Sequence, residues 1–111
     1  MRWIVNAWQW LRSLFRRSAR PWKTVRVEDV PEKALANVIY LVGEGKFLWF
    51  ALFLCPCGCG ELIQLNLLAD ASPQWQAIHN GDGTVTLAPS VWRTKGCGSH
   101  FFVRRGMIVW C

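Results

Sequence analysis

The fold class this sequence predicts is mainly β: a small antiparallel β-fold preceded by one amphipathic helix. Three observations predict it. From residue 24 onward, short apolar runs are broken by Gly, Asn and Asp, the pattern of strands joined by tight turns. Helical periodicity is confined to residues 2–18. Three of the five cysteines crowd into Cys55-Pro56-Cys57-Gly58-Cys59-Gly60 and a fourth lies in Cys97-Gly98-Ser99-His100, so a small β-domain could be cross-linked by a metal ion.

The chain divides into a basic amphipathic helix, residues 1–23, and a β-domain, residues 24–111. In the helix, Trp3, Ile4, Trp8, Leu11 and Phe15 share one arc, opposite Arg2, Gln9, Arg12, Arg16 and Arg17, with Val5 the exception. Pro21 ends it, and arginines in its last turn complement the helix dipole. Tryptophans opposite arginines suit a helix lying in lipid headgroups, so residues 2–18 could touch a membrane surface. Packing of the same face on protein is the commoner fate.

In the β-domain, residues 24–27 read as a short strand and residues 30–35, with Pro31 near the start, as one helical turn. Residues 37–42 and 46–54 read as strands around Gly43-Glu44-Gly45. Unbroken apolarity from Phe47 to Leu54 predicts a central strand covered on both faces. Residues 61–67 return from the Cys cluster, which puts that cluster in a hairpin turn. Residues 74–79 and 84–87 pair across Asn80-Gly81-Asp82-Gly83, where Asn, Asp and Gly tolerate positive φ. Residues 88–98 read as an irregular loop, and 99–104 with 107–110 as a last hairpin around Arg105-Gly106.

Charge and hydropathy narrow the setting. The net charge of +6 resides in the first 23 residues, because later Lys and Arg are matched by the seven acids. The β-domain is therefore not expected to bind nucleic acid. The apolar stretch 3–11 contains Asn6 and Gln9 and is followed by arginines, unlike a signal peptide. No apolar run approaches the about 20 residues a membrane helix needs. An odd cysteine count with a metal-like cluster favours a reducing compartment, hence a cytoplasmic and at most membrane-peripheral protein.

The cysteines suit Zn²⁺, which takes four thiolate or imidazole ligands in a closed structural site. Spacing leaves the ligand set open. Cys97 joins two or three of Cys55, Cys57 and Cys59, and the last position could fall to His100 or Cys111. Cys55 with Cys59, leaving Cys57 spare, relieves crowding. A Cys-x-x-His pair slightly favours His100 as a ligand; a metal filled by cysteines would free it as a base. Its candidate partner is Ser90, in Ala88-Pro89-Ser90-Val91-Trp92, because a serine hydroxyl needs a base at hydrogen-bond distance. Ser99 is the runner-up, but strand neighbours point to opposite faces. Of the nearby acids Glu61, Asp70 and Asp82, Glu61 is the first choice as third member. Gly96–Gly98 would supply oxyanion-binding N–H groups, and His79 sits on a solvated face.

The run Phe53-Leu54-Cys55-Pro56-Cys57-Gly58-Cys59-Gly60-Glu61, with Thr84-Val85-Thr86-Leu87-Ala88-Pro89-Ser90-Val91 and Cys97-Gly98-Ser99-His100-Phe101-Phe102, resembles a family of small bacterial proteins. Members are encoded beside Bub-type ubiquitin-like conjugation genes: an activating enzyme, an E2-like protein and a ubiquitin-like modifier. The likeness spans roughly residues 24–111. It implies a serine-type peptidase or isopeptidase that removes the modifier from lysine conjugates. Carried over, Pro89-Ser90 and Ser99-His100 would host the chemistry, while Cys55, Cys57, Cys59 and Cys97 would hold the metal. The modifier, its conjugates and the conjugation enzymes are then the expected partners. The competing expectation is a non-catalytic, zinc-ribbon-like adaptor with His100 on the metal.

Overall fold

The computed structural model describes residues 20–111, so the helix expected over 2–18 lies outside the described residues. Eight strands follow in order: β1 (Lys23–Val27), β2 (Val38–Glu44), β3 (Phe47–Leu54), β4 (Leu62–Asn66), β5 (Gln76–His79), β6 (Val85–Trp92), β7 (His100–Arg104) and β8 (Met107–Trp110). They form two four-stranded sheets, β1-β2-β3-β4 and β5-β6-β7-β8. All pairings are antiparallel except β1 with β2, which run parallel. That pair departs from the purely antiparallel expectation.

Period-two alternation decides where the core sits. Ile39, Leu41, Ala51, Phe53, Ile63 and Leu65 of the first sheet face Val85, Leu87, Val91, Phe101, Val103 and Ile108 of the second in one buried cluster. Phe53 meets Phe101 edge-on with ring centroids 6.2 Å apart, joining the two sheets. Trp22, buried just ahead of β1, packs edge-on against Phe53 at 5.9 Å. The Trp22 N–H donates to the Gly106 carbonyl at 2.7 Å, while the Gly106 N–H donates to that of Val85 at 2.9 Å. The entrance to β1 is thus bonded to the β7–β8 turn of the other sheet. β3 is central and apolar throughout because its alternate residue Leu52 joins Tyr40 and Val42 in a second cluster on the opposite face.

Three local readings need correction. Among the described residues there is no helix, and the turn expected over 30–35 is irregular chain with a bend at Glu32 and Lys33. One turn cannot offset its nucleation cost, and the Leu35 N–H donates to Tyr40 Oη at 3.0 Å instead. Gly43 lies inside β2 at a bulge, where a Cβ would collide with the Phe47 carbonyl and the Leu48 backbone; the turn itself is at Gly45 and Lys46. The loop expected from residue 88 is instead strand as far as Trp92, with a register shift between Leu87, opposite Val103, and Val91, opposite Phe101. A bulge excuses Pro89 from donating to the ladder, so proline does not end the strand there.

Candidate functional site

Two turns at one end of the molecule bring the cysteines together. The first links β3 to β4 and is closed by the Cys55 N–H donating to the Glu61 carbonyl at 2.8 Å and the Gly58 N–H to that of Cys55 at 3.2 Å. The second links β6 to β7, and in it the Gly96 and Gly98 N–H groups both donate to the Arg93 carbonyl, at 3.2 and 3.0 Å. An ion pair between Arg93 and Glu61 joins the two turns.

The Sγ atoms of Cys55, Cys57, Cys59 and Cys97 all lie within 4.8 Å of one another. Cys55 Sγ is 3.3 Å from that of Cys57 and 3.6 Å from that of Cys97. Tetrahedral zinc thiolate geometry puts sulfurs about 3.8 Å apart, so the donor set fits one such ion. His100 and Cys111 are not members of this group. All five cysteines are unbridged.

The four thiols are electrostatically unlike. Burial pushes Cys55 up to about 12. Hydrogen bonds from Ser99, by hydroxyl and then backbone N–H, pull Cys97 down to about 6. Cys57 is lowered, first by its contact with the Cys55 thiol. A divalent cation would stabilise all four as thiolates and offset the desolvation of Cys55.

The turn carrying Cys97 leads straight into β7, whose first residue is His100. Across the ladder, Trp92 is the register partner of His100, and Ser90 shares the face of Trp92 two residues earlier. Ser90 Oγ lies 2.9 Å from His100 Nε2, both residues half-buried. From the side, Trp75 Nε1–H donates to the Ser90 carbonyl at 3.3 Å and holds the bulge. Trp92 stacks on the imidazole with centroids 5.3 Å apart and planes 19° apart. A hydroxyl at this distance from an imidazole nitrogen can pass its proton to it and become a nucleophile.

Other expected members sit elsewhere. Ser99 Oγ is 3.0 Å from Cys97 Sγ, within the Cys97 turn. Glu61, first choice for a third member, is paired with Arg93, and among the described residues no carboxylate hydrogen-bonds His100. The N–H groups of Gly96 and Gly98, expected to bind an oxyanion, are engaged by the Arg93 carbonyl. His79 is exposed, as expected. Sequence reasoning missed Trp92 and Trp75. The signal for Trp92 was its spacing of two from Ser90, which means a shared face only once that stretch is read as strand.

Among curated proteins and solved structures nothing matches this chain. A family model does, over residues 26–111, and its description as bacterial ubiquitination-like system serine protease agrees with a serine beside an imidazole. The chain belongs to that family, BubE.

Proposed function

We propose that this protein is a peptidase or isopeptidase that removes a ubiquitin-like modifier from lysine conjugates, with Ser90 as nucleophile and His100 as base. The single observation that supports the assignment is the 2.9 Å approach of Ser90 Oγ to His100 Nε2. In the acylation half, Oγ attacks the carbonyl carbon of the modifier's last residue as its proton passes to Nε2. The tetrahedral adduct collapses, the C–N bond breaks, and Nε2 returns the proton to the departing lysine amine. Water then attacks the ester with the same base, releasing the modifier's carboxylate and restoring the hydroxyl.

Cys55, Cys57, Cys59 and Cys97 would hold a structural Zn²⁺, whose contribution is to fix the turn that delivers His100. A site closed by four thiolates leaves no position for substrate. The modifier, its conjugates and the conjugation enzymes are the proposed partners, and the cytoplasm is the compartment that keeps such thiols reduced.

The test uses Ser90→Ala and His100→Ala in the full chain, assayed for folding, zinc content and cleavage of a modifier–lysine conjugate. Cleavage falls at least about 1,000-fold in each, the scale of losing a nucleophile or its base, while zinc stays bound. Lost zinc in His100→Ala would instead favour the adaptor, and full activity in Ser90→Ala would remove the proposed nucleophile.

A further inference from the structure

An imidazole activates a hydroxyl only while its plane and tilt keep Nε2 aimed at the O–H. In three-membered sites a carboxylate on the other ring nitrogen supplies that aim. Among the described residues no carboxylate does so here. Aromatic packing takes its place. Trp92 lies directly across the ladder from His100 and stacks on it at 5.3 Å and 19°. Phe102, two residues along β7 on the same face, approaches the imidazole at 6.4 Å and 30° and has the Arg104 guanidinium 4.3 Å from its own centroid. Trp92 is nevertheless 64% exposed, so core packing does not account for it.

We infer that Trp92 is the positioning residue of the Ser90–His100 pair. Its indole fixes the imidazole plane so that Nε2 faces Ser90 Oγ, and its π-face favours the imidazolium formed when the proton arrives. This role rests on the proposed catalytic reading, and the same experiment separates the two.

The probe is a fluorophosphonate, small enough to report on the hydroxyl without the modifier's binding surface. Ser90 Oγ forms the P–O bond, the P–F bond breaks, fluoride leaves, and His100 takes the hydroxyl proton. On the zinc-loaded full chain the parent is labelled and Ser90→Ala is not. Trp92→Ala and Trp92→Leu slow labelling roughly tenfold, equivalent to ~1.4 kcal/mol. Trp92→Phe, which keeps a ring, stays within about threefold of the parent, or roughly 0.7 kcal/mol. In parallel, the His100 ring-proton resonances, held upfield by the indole ring current, move downfield in Trp92→Leu and stay closer to the parent in Trp92→Phe. Parent-rate labelling of Trp92→Ala, or equal rates for the Leu and Phe variants, overturns the positioning role alone. Undiminished labelling of Ser90→Ala overturns the catalytic reading and this one with it.

Discussion

The thiols of the proposed metal site differ by more than their chain positions suggest. Cys97, exposed and hydrogen-bonded by Ser99, is drawn down to about 6, whereas buried Cys55 is raised to about 12. At neutral pH without metal, Cys97 is therefore mostly thiolate and Cys55 entirely thiol, and only the thiolate attacks an alkylating agent. Chelated protein treated with iodoacetamide is expected to lose Cys97 first and Cys55 last, read by peptide mass spectrometry. The Cys97 rate levels off above about pH 7, one unit past the point where half is ionised. Ser99→Ala removes the hydroxyl that lowers it and slows the reaction at pH 7 several-fold. The same variant is expected to retain the proposed conjugate cleavage, because the Ser99 hydroxyl faces Cys97 and not the imidazole.

Strands and turns show what local chemistry can specify. In the β5–β6 turn, the Asp82 carboxylate accepts from both the hydroxyl and the N–H of Thr84, with Arg105 at 3.7 Å. The Thr84 hydroxyl, then its N–H, hold Asp82 below its usual range. A lowered folded-state pKa adds stability that is complete above the unfolded value of about 3.9 and is lost as pH falls through the folded value. Asp82→Asn is accordingly expected to flatten the acid limb of a urea-midpoint-against-pH curve below about pH 4 while lowering the midpoint slightly at pH 7. This hairpin was readable in Asn80-Gly81-Asp82-Gly83 because its bonds are local, as was the one at Arg105-Gly106. The passage of β6 through Pro89 was not, since a bulge that excuses the missing N–H depends on how β7 registers alongside. That one misreading also hid Trp92. Parallel pairing of β1 with β2 was equally invisible, because nothing within either strand names its neighbour. The meeting of Ser90 with His100 was foreseeable from adjoining segments, whereas spacing alone left the imidazole between two roles.

Two sheets share one core, and stability would come from two sources, the packing of that core and the proposed zinc ion. Phe53, fully buried between Trp22 and Phe101, carries much of the first; Phe53→Ala is expected to cost about 3–5 kcal/mol in chemical denaturation. Removing the ion tests the second. Chelation should lower the melting temperature by at least ~10 °C, since about 1 kcal/mol moves a domain of this size by about 4–8 °C. It should also depress the proposed cleavage roughly tenfold by loosening the turn that delivers His100, a barrier raised by about 1.4 kcal/mol. Cys55→Ser reproduces both effects and is not rescued by added zinc. Arg93 links the turns independently of any ion: its carbonyl gathers its own turn and its side chain reaches Glu61 across the gap. The two turns thereby keep one tether after chelation, even as the cysteine loops beside it slacken. Refilling would then start from loops already tied to one another, so chelated protein is expected to regain its melting temperature on adding zinc without passing through the unfolded state.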